Sequence, residues 1–297
     1  GKLGLDLNEV LRKWVFERGD LGPEESARPV FLYMHYLDPH WPYVEFVEEL
    51  GDELGPLVME SEPPVNAKGA ADWFAEGLTE DALRALEARY RHGVASTDRA
   101  MGEALFYLDQ AGLLDDAVVV VTSDHGEGFG EHGEFLHGYA PYEEVHRVPL
   151  VLRLPERLRD STREVSALVG LVDIGPTLLE LAGLPVGEGM MGRSLVPLMR
   201  GADASWRRPV YSETEGIRSL RTPTHKLIVY PDGRREFFDL ATDPLEQTDL
   251  PCDETCEDLA AHLGRLTEVL ERSELRGDSV DLDAEDLKSL EALGYLN

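Results

Sequence analysis

The segment from Val118 to Gly133, VVVVTSDHGEGFGEHG, indicates the fold class of the chain. The run from Ala117 to Thr122 is apolar without alternation, which predicts a strand buried on both faces, as in a parallel sheet. The residues before it have helical periodicity, from Thr79 as the N-cap to about Gly112. A helix followed by a buried strand is half of a βαβ unit, so the sequence predicts an α/β fold with a mostly parallel central sheet.

Apolar patterns elsewhere predict further elements of this fold. Val30 to His35 (VFLYMH) and Val148 to Leu154 each predict a buried strand, and Asp173 to Leu181 predicts a helix. Residues 44–78 lack periodicity and predict an irregular surface insertion. The helix after Thr79 carries an apolar stripe at helical spacing, for which we expect core packing: Val94, Met101, Leu105 and Leu108.

The pattern changes beyond Trp206, where short apolar segments alternate with turns such as Pro231-Asp232-Gly233. It predicts a small antiparallel sheet with a helix around Cys256 to Leu270. We therefore expect two domains, residues 1–205 and a C-terminal α+β subdomain at 206–297. The predicted strands are Val210–Ser212, Ile217–Arg221, Lys226–Tyr230 and Arg235–Leu240.

The charge of the chain excludes several classes of partner. Its 297 residues contain 58 Asp and Glu against 28 Lys and Arg, a formal net charge of -30. Such a chain repels phosphate backbones and anionic lipid, so we expect no binding to nucleic acid or to a membrane surface, and an anionic substrate would need a local cationic centre. No stretch approaches the ~18 consecutive apolar residues of a membrane span, so we expect no membrane insertion either. The two cysteines, Cys252 and Cys256, are either incidental thiols or one local disulfide.

Histidines are concentrated near the ends of the predicted strands. Five of the nine histidines lie on or beside three loops, which is typical of metal ligation or proton transfer. Two of the loops are Asp38-Pro39-His40 and Ser123 to Glu127, and the third runs from Glu131 through His137 to Glu144. Each also has a purely structural interpretation, in which Asp124 caps a turn, His125 and His137 are satisfied polar residues, and His40 stacks on Trp41 or Tyr43.

The order of these motifs resembles that of the sulfatase family, within the alkaline-phosphatase superfamily. The resemblance runs from about residue 28 to the end of the chain. The similar segments are FLYMHYLDPHWPY (31–43), VVVVTSDHGEGFGEHG (118–133), HGYAPYEEVHRVPLVLRLP (137–155), VDIGPTLLELAGLPVGEGMMGRSLVPLMRG (172–201), HKLIVYPDGRREFFDLATDPLEQTDL (225–250) and LKSLEALGYL (287–296).

The resemblance implies roles for four residues. Asp124 and His125 match the second pair of divalent-metal ligands, which usually bind Ca²⁺, with Mn²⁺ or Mg²⁺ as alternatives. His40 matches the histidine that contacts the sulfate ester near its bridging oxygen. His137 stands where many members have a lysine that faces the sulfate. Because a histidine is cationic only when it is protonated, we expect activity to favour lower pH.

One family motif is absent from the sequence. The nucleophile of the family is a formylglycine made from Cys/Ser-x-Pro-x-Arg, and the 297 residues contain no such motif. We therefore interpret the chain as the C-terminal portion of a sulfatase, with a three-layer sandwich that is incomplete at its N-terminal side. The full-length parent is expected to hydrolyse a sulfate ester with a metal-bound formylglycine, and the chain alone is expected to be inactive.

The resemblance leaves the substrate and two other functions open. It implies a small-molecule or glycan sulfate ester, with specificity from loops such as residues 44–78, and a periplasmic or secreted location. One alternative is a phosphodiesterase or phosphonate monoester hydrolase of the same superfamily. The other is a non-catalytic relative that binds sulfated glycans.

Overall fold

A computed structural model describes residues 3–19, 28–41, 43, 79–158, 164–187, 189–201, 206 and 208–272. The chain divides into two compact units, of which the described residues up to Ala117 form the first and those from Val118 onward the second. The predicted insertion at 44–78 and the segment 287–296 lie outside the described residues. No helix of the described ranges is long and apolar enough to cross a membrane.

The first unit is built on two helices, α1 (Leu3–Gly19) and α2 (Glu80–Gln110). Thr79 is the N-cap of α2, as predicted, because its Oγ1 accepts a hydrogen bond of 3.1 Å from the Ala82 N–H. The side-chain amide of Asn8 on α1 donates to the Ala100 carbonyl at 2.8 Å and fixes the two helices together.

The buried face of α2 differs from the predicted stripe. Val94 is 44% exposed, and Met101, Leu105 and Leu108 are only partly buried. Small residues form much of the buried face. Their size allows α1 and the turn at Asp38 and Pro39 to approach the helix closely. The buried residues are Ala85, Leu86, Arg89, Gly93, Ser96, Ala100 and Ala104.

The predicted buried strand from Val30 to His35 was wrong for this structure. The segment forms no strand, and Phe31 and Tyr33 are 83% and 75% exposed. An apolar run becomes a strand only when a neighbouring strand satisfies its backbone groups, and no strand of the described residues pairs with this segment. Apolar composition alone therefore did not determine its structure.

The second unit begins with β1 (Val119–Thr122), which pairs with β4 (Leu150–Arg153). The pairing is antiparallel, with Val120 opposite Leu152, and the strands are partly exposed. The predictions of a parallel neighbour and of burial on both faces were therefore wrong for β1 in the described residues. An uninterrupted apolar run indicates apolar surroundings, but it contains no information on the direction of the neighbouring strand.

Short elements connect β1 and β4 and continue beyond them. β2 (Gly128–Phe129) and β3 (Phe135–Leu136) form a small antiparallel pair, and the one-turn helix α3 (Glu143–His146) follows. After β4 the chain forms 3-10 turns at Glu156–Leu158 and Leu171–Asp173, then α4 (Ile174–Leu181) and α5 (Val196–Met199). α4 confirms the helix predicted at 173–181.

The C-terminal sheet was predicted well. Its four antiparallel strands lie in sequence order: β5 (Val210–Thr214), β6 (Ile217–Arg221), β7 (His225–Val229) and β8 (Arg235–Asp239). Helix α6 (Glu254–Arg272) covers one face of this sheet, where Leu220, Leu227 and Phe237 pack against Cys256, Leu259 and Leu263. The other face packs against the chain that precedes α3, through Ile228 and Phe238 against Ala140 and Tyr142.

The two cysteines form the local disulfide that was one of the two predicted alternatives. The boundary near residue 205 stays a prediction, and hydrogen bonds join residues on its two sides, such as Lys226 to Glu143. These contacts attach the C-terminal sheet to the chain that follows β1.

Candidate functional site

The site is built on the turn that follows β1. The Asp124 Oδ1 atom accepts the backbone N–H of His125 at 3.0 Å, and the Ser123 hydroxyl donates to the His125 carbonyl at 2.6 Å. The Asp124 side chain is still 57% exposed, and its Oδ2 atom lies 3.8 Å from His125 Nε2. The turn therefore satisfies local backbone groups and also presents a carboxylate oxygen 3.8 Å from an imidazole nitrogen.

The orientation of the His125 ring is fixed by its own backbone. Nδ1 lies 2.7 Å from the carbonyl oxygen of Gly126. Because a carbonyl can only accept, Nδ1 donates the proton, and Nε2 of the neutral ring has a lone pair directed away from that bond. This is the arrangement in which histidines bind metal ions through one nitrogen while the other is hydrogen-bonded.

His137 lies against His125. The ring centroids are 3.9 Å apart and the planes are tilted by 31°. The Nδ1 atom of His137 is 2.8 Å from the Glu127 carboxylate, whose side chain is only 3% exposed. Glu127 lies within the motif at 118–133, but its sequence context predicted no role for it. A buried carboxylate that accepts from Nδ1 holds the His137 ring in one orientation.

Gly126 is required by a close approach of two backbones. Its N–H donates to the Val145 carbonyl at 2.6 Å, and the Glu127 N–H donates to the Glu144 carbonyl at 3.1 Å. A Cβ atom at position 126 would lie 2.1 Å from the Glu144 carbonyl oxygen, a distance that no side chain can adopt. The turn of Asp124 and His125 is therefore tied directly to α3.

A cluster of buried charges holds α3 on the C-terminal sheet. Glu143 receives two hydrogen bonds from the Arg221 guanidinium, at 2.9 and 3.1 Å, and one from Lys226 Nζ at 3.2 Å. Lys226 Nζ is also 2.9 Å from Glu246 Oε1. Burial raises the pKa of Glu143, but the two cations outweigh it and hold that pKa below its ordinary value. Sequence reasoning missed this cluster, because a lysine within a strand pattern has no local feature that indicates its partner.

Two other histidines have different surroundings. His132 stacks on Tyr142, with centroids 3.7 Å apart, and donates from Nδ1 to Glu144 at 2.7 Å and from Nε2 to the Glu246 carbonyl at 3.0 Å. Both nitrogens are thus used inside the protein. His146 is partly buried on α3, and burial, with the nearby charge of Lys226, lowers its pKa to about 4.

His40 belongs to the first unit and lies on a tight turn. Its N–H donates to the Leu37 carbonyl at 3.0 Å, whereas the two prolines had predicted an extended loop. The turn packs on α2 at Gly93, where a Cβ atom would lie 2.8 Å from the Asp38 carbonyl oxygen. The His40 Nδ1 atom is 2.8 Å from the Trp41 carbonyl oxygen, so this nitrogen donates and the ring is held on the turn.

The donor set of the turn fits part of a metal site. Asp124 offers a carboxylate oxygen and His125 an imidazole nitrogen, and both residues line an open cavity of about 1470 Å³. No group of three or more His, Cys, Asp or Glu residues suited to a metal ion occurs within the described ranges. Two ligands cannot complete the coordination of a divalent cation, so Asp124 and His125 supply at most part of the ligand set.

The protein has an α/β fold, and its site places the carboxylate of Asp124 and the imidazoles of His125 and His137 in the chain that follows β1. The chain belongs to the sulfatase family, because the family model described as Sulfatase matches residues 9–184, more than half of the chain. A second model, described as N-sulphoglucosamine sulphohydrolase, C-terminal, matches residues 130–273.

Known proteins agree with this membership. Arylsulfatase K of Gallus gallus is 37% identical over 192 residues, which are 58% of this chain and 35% of that protein. A structure solved in complex with its substrate D-glucosamine-2-N,6-O-disulfate is 26% identical, with a TM-score of 0.55 over 72% of this chain and 47% of the other. The phosphonate monoester hydrolase of Agrobacterium radiobacter shares the fold, at 23% identity and a TM-score of 0.62 over 88% of this chain and 59% of that one. The chain thus spans 35% of the length of the Gallus gallus relative that it matches.

Proposed function

We propose that the protein containing this chain hydrolyses sulfate esters. The observation that carries the proposal is the group formed by Asp124, His125 and His137, in which His125 Nε2 is 3.8 Å from a carboxylate oxygen and His137 lies beside it. Membership of the sulfatase family supports this reaction class. A three-layer sandwich with a mostly parallel central sheet, divided near residue 205 from a C-terminal subdomain, remains our proposal for the whole fold.

Asp124 and His125 are the residues that would hold a divalent metal, with Ca²⁺ as the expected ion and Mn²⁺ or Mg²⁺ as alternatives. Such a cation supplies charge stabilisation for the anionic oxygens that an ester of this kind presents. It also provides the local cationic centre that a chain with a net charge of -30 needs to bind an anion. The 297 residues contain no Cys/Ser-x-Pro-x-Arg motif, so we derive no step through formylglycine from this chain.

His137 is proposed to donate a hydrogen bond to a non-bridging oxygen of the sulfate. This role is supported by the hydrogen bond between Nδ1 and Glu127 at 2.8 Å, which fixes the ring beside His125. His40 is proposed to contact the bridging oxygen and to help the alcohol leave, from a ring whose orientation is fixed by the hydrogen bond between Nδ1 and the Trp41 carbonyl.

The substrate class is proposed to be a sulfated sugar or another small sulfate ester. The solved relative with bound D-glucosamine-2-N,6-O-disulfate supports a sugar. A periplasmic or secreted location fits such a substrate. The fold shared with a phosphonate monoester hydrolase makes phosphonate or phosphate ester hydrolysis the second candidate.

One assay separates these functions. The full-length protein is co-expressed with a formylglycine-generating system and incubated with p-nitrophenyl sulfate and p-nitrophenyl phenylphosphonate. Greater kcat/KM for the sulfate, lost in Asp124→Ala together with bound metal, supports the proposal. Preference for the phosphonate supports the second candidate. If the metal-loaded protein binds a sulfated sugar but does not hydrolyse either ester, the protein is a non-catalytic relative that binds sulfated glycans. Unchanged metal content in Asp124→Ala contradicts the assignment of that ligand.

A further inference from the structure

The Asp124–His125 turn has a rigid connection to α3. Two backbone hydrogen bonds join Gly126 and Glu127 to the carbonyls of Val145 and Glu144, at 2.6 and 3.1 Å. Since there is no space for a side chain at Gly126, the two segments are in direct backbone contact. A displacement of α3 would therefore change the direction in which Asp124 and His125 point.

The position of α3 is in turn determined by the C-terminal sheet. Arg221 and Lys226 are paired residues on β6 and β7, and both side chains reach the Glu143 carboxylate at the start of α3. The backbone N–H of Glu143 donates to Glu246 Oε2 at 2.7 Å. Both the side chain and the backbone of the first residue of α3 are thus held by residues that follow position 205.

Because these charges are buried, each one depends on the partners that surround it. The side chains of Lys226 and Glu246 are 2% and 0% exposed, so removal of one partner leaves the other as a poorly compensated buried charge. Glu246 also has a φ of 55°, in the left-handed region that residues other than glycine rarely adopt. Contacts around Glu246 must compensate for this strained backbone, which is expected of a residue whose direction is important.

We propose that Glu143, Lys226, Arg221 and Glu246 are positioning residues for the metal-ligand turn and transmit the position of the C-terminal sheet to Asp124 and His125 through α3. This inference rests on the proposed metal role of that turn. None of the four residues is proposed to touch the substrate. Their effect is on the preorganisation of two ligands, and loss of such support typically lowers metal affinity 10- to 100-fold.

The test measures Ca²⁺ affinity of the full-length protein by isothermal titration calorimetry, at a temperature at which every variant is folded. Glu143→Gln and Lys226→Met are expected to raise the Ca²⁺ dissociation constant about 10- to 100-fold. The matched control is Leu263→Ala, which disrupts the buried cluster beneath α6 on the opposite face of the sheet and is expected to leave the dissociation constant within about threefold. If Lys226→Met does not fold, Glu143→Gln still decides the question.

A second measurement separates positioning from general loss of stability. Hydrogen exchange should accelerate about tenfold or more at the amides of Gly126 and Glu127 in Glu143→Gln, with no change in β8 or α6. Unchanged exchange at these amides, or equal acceleration throughout the second unit, overturns the inference. If Asp124→Ala binds Ca²⁺ normally, the proposed metal role has failed, and the exchange result alone then decides whether the four residues fix the turn.

Discussion

Replacing Lys226 by Met should destabilise the second unit by about 3–5 kcal/mol, the usual cost of leaving one member of a buried ion pair without its partner. The methionine fills a similar volume, so little of this cost comes from a cavity. Glu143 keeps its two hydrogen bonds from Arg221, and the cost therefore falls mainly on Glu246, whose side chain is fully buried. Urea denaturation of wild type and variant at pH 8 measures the difference in the free energy of unfolding.

The pH dependence and a double-mutant cycle make this prediction specific. Burial raises the pKa of Glu246 even beside Lys226, so in Lys226→Met this carboxyl should accept a proton, and the loss should be smaller at pH 5 than at pH 8. The double variant Lys226→Met/Glu246→Gln should be more stable than the sum of the single effects by about 1–3 kcal/mol. A cost below about 1 kcal/mol, or additivity within about 0.5 kcal/mol, would refute the reasoning.

Three further substitutions test the site. Glu127→Gln should lower kcat/KM for an aryl sulfate about 10- to 100-fold, because it weakens a charge-assisted hydrogen bond to His137, while its bound metal should remain; an unchanged kcat/KM would contradict this role. Gly126→Ala should cost about 1–3 kcal/mol through the clash with the Glu144 carbonyl, whereas the control Gly264→Ala, exposed in α6 with open space around it, should be neutral or stabilising in the same urea experiment. Burial lowers the pKa of His132, but the hydrogen bond to Glu144 and the nearby carboxylates outweigh it and raise the pKa above 6.5. The protonated ring therefore stabilises the fold fully below about pH 6.5, and this stabilisation is lost as the pH rises through the raised pKa. His132→Phe, which retains the stacking on Tyr142, should therefore destabilise more at pH 6 than at pH 9, and an equal loss at both would contradict the assignment.

Local patterns were sufficient to predict the four-stranded C-terminal sheet and the N-cap of α2. The predicted strand Ile217–Arg221 has the observed bounds, and β5, β7 and β8 differ by one or two residues. Each strand is short, is bounded by turn residues and pairs with its neighbour in sequence. The information needed for this part of the fold is therefore local.

These local patterns did not predict which strands pair when they are distant in sequence. The partner of β1 lies about thirty residues further on, at Leu150 to Arg153, and neither its identity nor its direction follows from an apolar run. The run from Val30 to His35 is similarly apolar, but it is exposed and has no paired strand among the described residues. Composition indicates which segments avoid water, whereas pairing depends on the rest of the fold.

The same limit applies to the site. The loops of Asp124, His125 and His137 were predicted from the sequence, and the structure places the two imidazoles in contact. The supporting charges were not predicted, because Lys226 and Glu143 are separated by 83 positions and neither has an unusual local pattern. The roles of Asp124, His125, His137 and His40 remain predictions until they are tested directly.

The central claim is that Asp124 and His125 bind a divalent cation in a sulfate ester hydrolase. The most direct measurement is an anomalous-difference map from crystals of the full-length protein grown with Mn²⁺. We predict a peak about 2.0–2.6 Å from an Asp124 carboxylate oxygen and from His125 Nε2, with Nδ1 still bonded to the Gly126 carbonyl. A fully occupied Mn²⁺ elsewhere, with neither residue as a ligand, would contradict the account.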